Sequence, residues 1–282
     1  MKIAVSCEST SDLSKELLQE YDVKIIPYHI VLDGEEFEDG KYTTEEMLQK
    51  VEECGVLPKT NAINVYDYTE YFKNLRKEYD AVIHVCLSSG LSSSCNNAIN
   101  ASKELDNVFV IDSLSLSTGI GLLCMYAREL ANANEEPNVI AQKVQERASK
   151  LQVSFIVERL DFLYKGGRCS SLQRFGANLL KLRPRIVVGE GKMSSDKKYR
   201  GKMGGVIAKY CEEVLQEFNT PDLDKVFITY TTAMPEMVES ARKACENAGF
   251  KNIYETRAGG TIASHCGGNT LGILYFNDGE KN

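Results

Sequence analysis

Apolar and polar positions follow each other in blocks along the first half of the chain, and these blocks predict strands that alternate with helices. The continuous apolar and β-branched run from Ala81 to Leu87 is typical of a strand buried on both faces. The segments from Thr44 to Cys54, with Thr44 as the cap, and from Tyr66 to Glu78 have the spacing of amphipathic helices. Alternation of this kind predicts a parallel sheet covered by helices.

Two segments near the N-terminus give more local predictions. Residues Ser11 to Tyr21 have a helical pattern with Ser11 or Asp12 near the cap. Residues Val23 to Leu32 form an apolar strand segment in which Pro27 indicates an edge or a bend. His29 and His84 lie within apolar strand patterns, so we expect both in the core.

The pattern changes near residue 152. Beyond it, short strand segments precede and follow helices at about 204–218 and 235–249, which indicates a second, mixed sheet. The sequence therefore predicts an α/β protein of two domains. Residues 1–152 form an N-terminal parallel-sheet, Rossmann-like α/β domain, and residues 153–282 form a C-terminal mixed-sheet α/β domain.

Composition narrows the function classes. The 282 residues carry a net charge of −7, which argues against general nucleic-acid binding. No window approaches the ~20 apolar residues of a spanning helix, and the N-terminus resembles a strand rather than a signal peptide, so we expect a cytoplasmic protein. The nine cysteines are scattered without metal-ligand spacing. They are interpreted as buried thiols in a reducing compartment, and no metal site is expected.

The segment 165–202 has the opposite charge to the rest of the chain. It contains eleven Lys or Arg and two acidic residues, Glu190 and Asp196, for a net charge of +9. A charged segment is usually a solvated face. Because its sign opposes that of the remaining chain, a docking surface for an acidic partner or a phosphorylated ligand is the alternative.

Hydroxyl groups follow the predicted strand that ends at Leu87. Residues Ser88 to Ser94 place serines and turn amides at the carboxyl end of a strand, where open α/β sheets bind ligands. Uncharged donors on a fixed turn suit a carboxylate or a phosphate. A serine-rich turn followed by a helix cap is the structural alternative. The phosphate-loop, dinucleotide and nucleophile-elbow patterns are each incomplete, so a catalytic interpretation has only this serine cluster with His265.

Several spaced motifs together resemble the DegV family of bacterial fatty-acid-binding proteins (FakB type). They are Lys2-Ile3-Ala4-Val5 followed by Ser9-Thr10-Ser11-Asp12-Leu13, then Ser88-Ser89-Gly90-Leu91-Ser92, Asp112-Ser113, Gly166-Gly167-Arg168 and Ala263-Ser264-His265-Cys266-Gly267. The motifs span almost the whole chain in the family's order. Two departures are Glu8 in place of the usual Asp, and Asn61-Ala62-Ile63 after Thr60 in place of Ser-Gln-Pro.

The resemblance implies a protein that holds one long-chain fatty acid in an apolar tunnel and needs no cofactor. The N-terminal domain would carry the carboxylate-binding loops, and the C-terminal domain would cover the acyl chain and carry the basic segment. By position in the motifs, the hydroxyls of Thr60 and Ser92 and the backbone amide of Ser93 would bind the carboxylate.

The resemblance also implies a partner. In the family, a separate fatty-acid kinase converts the bound acid to acyl phosphate, so the lipid-binding chain has no catalysis of its own. Arg168, Arg200 and His265 match basic positions that would dock this partner or stabilise the acyl phosphate. Transient contact with a membrane is compatible with such a role.

Two other functions remain open from the residues. One is a serine hydrolase of lipid esters that uses Ser92 or Ser93 with His265. The other is a binding module for a different small anionic ligand, which would use the +9 segment. The helix predicted after Asp112 carries an apolar run that could line the acyl chain, although such a run more commonly belongs to the core. Its residues are Ile120, Leu122, Leu123 and Met125.

Overall fold

The computed structural model describes residues 1–169 and 182–279. Its strands are β1 (Ile3–Glu8), β2 (Val23–Ile26), β3 (His29–Leu32), β4 (Glu35–Glu38), β5 (Lys59–Asn61), β6 (Ala81–Cys86), β7 (Val108–Asp112), β8 (Leu151–Ile156), β9 (Arg183–Gly189), β10 (Lys192–Tyr199), β11 (Pro221–Tyr230), β12 (Asn252–Arg257) and β13 (Leu271–Asn277). Its helices are α1 (Lys15–Glu20), α2 (Thr44–Cys54), α3 (Val65–Arg76), α4 (Ser94–Ser102), α5 (Thr118–Asn132), α6 (Pro137–Ala148), α7 (Leu160–Gly166), α8 (Met203–Glu217), α9 (Pro235–Ala248) and α10 (Gly260–Cys266).

The strands form three sheets. The first has the order β2-β1-β6-β7 and is parallel throughout, because helices cross over between its strands. The second has the order β10-β9-β8-β13-β11-β12, and only its β11–β12 pair is parallel. The α/β class with a parallel sheet and a mixed sheet is therefore confirmed.

A third sheet, with the order β4-β3-β5, was not predicted from the sequence. It is small and antiparallel, and β4 and β5 are three or four residues long with polar compositions. Strands this short carry too few apolar positions to show an alternation. The third sheet matters for the site because it positions Thr60 opposite Ile30.

The two larger sheets contribute to one continuous core. Residues of the parallel sheet pack in the same cluster as Val153 and Phe155 of β8 and Phe276 of β13. Strand β8 begins at Leu151 and already belongs to the six-stranded sheet. The division of the chain at residues 152 and 153 into two domains remains a prediction.

The predicted helix from Ser11 to Tyr21 is wrong at its start. Residues Ser9–Ser11 form a 3-10 turn, and Asp12 then takes a left-handed conformation with φ of 52°, which no α-helix tolerates. The helix α1 begins only at Lys15, where the Ser14 hydroxyl accepts a hydrogen bond from the Leu17 amide at 3.3 Å. Ser14, rather than Ser11 or Asp12, is therefore the cap.

The range predicted for α2 is confirmed, but its cap lies one residue earlier than Thr44. The Thr43 hydroxyl accepts from the Glu46 amide, and the Glu46 carboxylate accepts from the Thr43 amide, which is a complete capping box. The Thr44 hydroxyl instead donates to the Ala258 carbonyl at 2.5 Å. That bond ties α2 to the segment before α10.

The apolar segment from Val23 to Leu32 divides at Pro27, where a bend was predicted. Strand β2 joins the parallel sheet and β3 joins the third sheet. His84 on β6 is fully buried, as expected. The expectation that His29 is a core residue is wrong, because its side chain is 44% exposed and faces Glu36 of the neighbouring strand.

The basic segment is only partly a surface feature. Arg185 is fully buried and forms an ion pair with Glu217 at 2.8 Å and a hydrogen bond to Asp196, also at 2.8 Å. Lys197 pairs with Glu213 at 3.1 Å. These charges serve the fold, whereas Arg168 and Arg200 are exposed. Residues 170–181 of the segment lie outside the described residues.

Two further expectations can be compared with the described chain. Every cysteine except Cys54 is buried, as predicted from the sequence. Among the helices within residues 1–169 and 182–279, none combines the length and the apolar content that crossing a bilayer requires.

Candidate functional site

The predicted serine cluster lies at the carboxyl end of β6 and forms a tight turn. The amides of Leu91 and Ser92 both donate to the Ser88 carbonyl, at 2.9 and 3.2 Å, and the Ser88 hydroxyl donates to the Gly191 carbonyl at 2.7 Å. A Cβ at Gly90 would lie 2.5 Å from that same carbonyl oxygen. The turn therefore joins the parallel sheet to the β9–β10 hairpin and requires glycine at this close approach.

The hydrogen bonds around Ser92 determine what its hydroxyl can do. Its oxygen accepts one bond from the Tyr28 hydroxyl at 3.0 Å and one from the Ser94 amide at 3.2 Å. A serine oxygen has two lone pairs and one hydrogen. With both lone pairs occupied, the remaining hydrogen is available for a further acceptor. Burial raises the pKa of Tyr28, so this tyrosine keeps the proton that it donates.

A second hydroxyl is held by an imidazole from another element. The Thr60 hydroxyl lies 2.9 Å from Nε2 of His265 on α10. Burial, and then the positive charge of Arg168, lower the pKa of His265 to about 4. The ring is therefore neutral near pH 7 and carries one N–H.

The surroundings of Nδ1 favour one tautomer of His265. Nδ1 is buried without a hydrogen-bond partner among the described residues, and a Cβ at Gly166 would lie 2.6 Å from it. A proton on Nδ1 would be a buried donor with no acceptor, whereas an unpaired acceptor is more easily tolerated. We therefore place the proton on Nε2, where it donates to Thr60 and leaves the Thr60 hydrogen free for a ligand.

Replacing Arg168 tests the electrostatic part of this arrangement. Arg168→Ala removes a positive charge that disfavours the protonated imidazole, so the pKa of His265 should rise above about 4 but stay below its ordinary value because burial remains. NMR titration of the imidazole protons measures it, since the chain has three histidines. Arg200→Ala is the matched control and should leave the titration unchanged. An unaltered His265 titration in Arg168→Ala would contradict the prediction.

Helix α10 is held in place by two aspartic acid side chains from the N-terminal part of the chain. Asp12 accepts from the Gly259 amide at 2.7 Å, and Asp39 accepts from the Gly260 amide at 2.9 Å. Both acids lie at the amino end of the helix, and burial raises the pKa of Asp12 to about 8, so near pH 7 Asp12 is mostly in its protonated form. Their contacts fix the helix that carries Ile262, His265 and Cys266.

The hydroxyls of Thr60 and Ser92 open into a cavity with mostly apolar walls. The space not filled by protein atoms is about 500 Å³, and the other polar side chains around it are Tyr28, Arg168, Thr261 and His265. Its apolar lining comes from Ala62, Leu87, Leu91, Leu116, Met193, Ile262 and Cys266. The cavity therefore combines mostly apolar walls with a few polar side chains that could bind the polar head of a ligand.

A second cavity lies next to the first. Its space not filled by protein atoms, including the part open to solvent, is about 330 Å³, and it shares Leu116, Ile262 and Cys266 with the first cavity. Its remaining walls include Phe155, Leu274 and Gly272 from the six-stranded sheet. The two cavities therefore adjoin at these three shared residues, which we call the waist, and the second lies against the six-stranded sheet.

Four of the six site residues expected from the sequence come together in this structure. Thr60, Ser92, Arg168 and His265 all line the first cavity. Ser93 is exposed and lies next to Ser92 at the N-cap of α4, outside the lining. Arg200 is exposed and follows β10, also outside the lining. The apolar run that contains Ile120, Leu122, Leu123 and Met125 belongs to the core rather than to either cavity.

Several residues of the site were not identified from the sequence. Tyr28 lies in an apolar strand pattern and carries no sign of its bond to Ser92. Asp12 and Asp39 had no visible connection to the glycine-rich segment before His265. The glycines at 259 and 260 were the available signal, because a Cβ at Gly260 would lie 2.7 Å from Ile30.

The geometry does not pair Ser92 with His265 as a nucleophile and its base. The Nε2 of His265 is occupied by Thr60, and its Nδ1 has no partner among residues 1–169 and 182–279. The Ser92 oxygen is occupied by Tyr28 and Ser94. A nucleophile and its base need a direct hydrogen bond, and this arrangement provides none.

Comparison with known proteins agrees with this geometry. Residues 2–278 match the model of a family described as "Uncharacterised protein, DegV family". A "Fatty acid-binding protein" of Thermotoga maritima is 31% identical over 285 residues, which cover 97% of both chains. The structure reported as "Fatty Acid Binding of a DegV family Protein from Thermus thermophilus" is similar with a TM-score of 0.88 at 27% identity, covering 98% of this chain and 100% of that one. "DegV, a fatty acid binding protein from Bacillus subtilis" has a TM-score of 0.85 at 25% identity, with 98% and 99% covered.

Proposed function

This chain belongs to the DegV family, and from that premise we propose that it binds one long-chain fatty acid, with the carboxylate at Thr60 and Ser92. The observation that carries the proposal is the pair of adjoining cavities with mostly apolar walls, the first of which is also lined by the hydroxyls of Thr60 and Ser92. The fatty-acid-binding names of its relatives support the same ligand class.

The head of the ligand is recognised by neutral donors. Ser92 and Thr60 each have a hydrogen to donate, for the reasons given by their own bonds to Tyr28 and His265. Hydrogen bonds to a charged group contribute about 1.5–3 kcal/mol each. The Ser93 amide is the third proposed donor, because it lies at the N-terminus of α4, where anions are favoured.

The tail supplies most of the binding free energy. Each buried methylene contributes about 0.8 kcal/mol before the costs of binding are subtracted. The two adjoining cavities offer mostly apolar walls. Hydrogen bonds to the carboxylate and burial of the tail together require no cofactor at the site.

Lipid extraction tests the ligand class. We expect purified protein from bacterial cells to release about one long-chain fatty acid per chain, detected by mass spectrometry of the extract. Delipidated protein should regain the acid on titration. A phosphorylated metabolite that binds in place of oleate, or a protein that neither carries nor takes up a fatty acid, would contradict the proposal.

We further propose that the bound acid is presented to a separate fatty-acid kinase. In that reaction the carboxylate oxygen attacks the γ-phosphorus of ATP, ADP leaves, and acyl phosphate forms. Arg168 supports the proposal because it is exposed and also lines the cavity beside the hydroxyls. Arg200 is an exposed cation within the same basic segment. We propose that both residues contact the partner or the transferred phosphate.

Alanine substitutions of the two arginines test whether they act in lipid binding or in presentation of the lipid to the kinase. We expect Arg168→Ala and Arg200→Ala to keep the wild-type affinity for oleate within about threefold, because neither residue forms the hydroxyl donors. ATP-dependent acyl phosphate formation with a fatty-acid kinase should fall by about tenfold or more. Lys103→Ala, an exposed lysine on the surface after α4, is the control. Equal losses of binding and of turnover would make the arginines structural.

A further inference from the structure

A buried cluster of metal-binding side chains lies in the parallel sheet, outside the lipid cavity. Glu8, His84 and Cys86 are all fully buried, and one possible ligand atom from each lies within 4.8 Å of the other two. The register of β1 and β6 explains the grouping. Ser6 is opposite His84, so two residues further on Glu8 and Cys86 project from the same face of the sheet.

His84 is oriented for a metal and lacks any other partner. Its Nδ1 lies 2.8 Å from the Ser6 hydroxyl, which can accept and so fix the proton on that nitrogen. Its Nε2 has no hydrogen bond among the described residues and lies 3.9 Å from the Glu8 carboxylate. A hydrogen bond from one ring nitrogen that leaves the other bare is the usual state of a metal-bound histidine.

Glu8 is a buried side chain whose carboxyl oxygens accept hydrogen bonds from uncharged groups. One oxygen accepts from the Tyr68 hydroxyl at 2.7 Å and the other from the Leu87 amide at 2.8 Å. Each of the two oxygens has a second lone pair, which remains available for a cation. No Lys or Arg side chain is paired with Glu8 in the part of the chain that the structure describes.

From these contacts we propose that Glu8, His84 and Cys86 bind one zinc ion, with the Glu8 carboxylate as a bidentate ligand. Zn²⁺ favours imidazole, thiolate and carboxylate ligands, and with Glu8 bidentate these three residues supply four donor atoms in a distorted tetrahedral arrangement, because the two oxygens of one carboxylate subtend a narrow angle at the metal. A dication with one carboxylate and one thiolate is neutral overall, which suits a site without water. On coordination the Cys86 thiol loses its proton to solvent, the S–Zn bond forms, and no electron is transferred.

The surroundings of the cluster fit a structural rather than a catalytic site. The rings of Tyr68 and Phe72 pack edge-on against His84, with ring centroids 5.5 and 5.1 Å apart. Donor atoms around zinc lie about 3.3–3.8 Å apart, so the present separations of up to 4.8 Å close by about 1 Å on binding. Because the site is fully buried, the ion is incorporated as the chain folds.

Refolding the full, untagged chain with cobalt tests the proposal directly. The protein is unfolded in guanidinium chloride with a chelator and refolded with Co²⁺, whose thiolate charge-transfer band and visible bands report tetrahedral coordination. We expect about one cobalt per chain that survives desalting, and Zn²⁺ should displace it and remove the bands. Refolding with Zn²⁺ should raise the midpoint of denaturant unfolding above that of the metal-free protein.

Variants locate the ion. Cys86→Ser and His84→Gln should each lose the bound metal, and Cys86→Ser should also lose the charge-transfer band. Cys211→Ser is the matched control, since Cys211 is an equally buried cysteine in the other core cluster. Metal retained by both cluster variants would place the ion elsewhere and overturn the proposal. If the variants do not fold, the metal content of the refolded wild-type protein still tests the proposal. Less than about one tenth of an equivalent of bound metal per chain would overturn it as well.

Discussion

Ser92→Ala is expected to weaken fatty-acid binding by about 10- to 100-fold while the protein stays folded. The substitution removes a donor to a charged carboxylate, worth about 1.5–3 kcal/mol, and each 1.4 kcal/mol is a factor of ten in affinity. It also leaves the Tyr28 hydroxyl and the Ser94 amide without the acceptor that they share. Isothermal titration calorimetry of the delipidated protein with oleate measures the change in affinity.

The neighbouring serine provides the control for this prediction. Ser93→Ala keeps the backbone amide and removes only an exposed hydroxyl outside the cavity lining, so its affinity should match that of the wild type. Tyr28→Phe should give a smaller loss than Ser92→Ala, because Ser92 keeps its hydrogen but is less firmly oriented. An unchanged affinity in Ser92→Ala would remove this residue from the head-group site, whatever the other two variants show.

The main architecture could be predicted because it depends on long, periodic elements. Strand β6 is apolar at nearly every position, and its two buried faces require a parallel sheet between helices. The elements that were missed are short or bent. Strands β4 and β5 span four and three residues, and the start of α1 depends on the φ of Asp12 rather than on any apolar pattern.

The candidate site was predictable only where its residues lie in one local motif. Ser92 follows a buried strand, and the family motifs bring in Thr60, Arg168 and His265, which the structure gathers around one cavity. Contacts between distant segments leave no such trace. The bond from Tyr28 to Ser92 joins residues 64 positions apart, and Asp39 reaches Gly260 over 221 positions.

The same limit explains why no metal site was expected. Metal motifs are recognised when their ligands are close in sequence, as in two cysteines on one turn. Glu8 comes from β1, whereas His84 and Cys86 come from β6, and only the parallel pairing of these strands brings them to one face. Spacing along the sequence can identify only ligands that are close in sequence, and it gives no information about ligands that lie on different strands of a sheet.

Ile262→Trp is expected to remove most of the affinity for long-chain acids while it spares short ones. Ile262 is one of the three residues shared by both cavities, so an indole there obstructs the waist between the head-group end and the second cavity. A tail that loses about six buried methylenes gives up about 5 kcal/mol, which corresponds to more than about 1,000-fold in affinity. Dissociation constants for a series of saturated acids of increasing length measure the effect.

The dependence on chain length separates obstruction from general damage to the fold. In the wild-type protein each added methylene should tighten binding until the cavity is full, whereas in Ile262→Trp the increase should stop where the tail reaches the waist. Ile262→Leu keeps a similar volume and should retain the wild-type series within about threefold. A parallel loss for short and long acids would show that the second cavity does not hold the tail of the ligand.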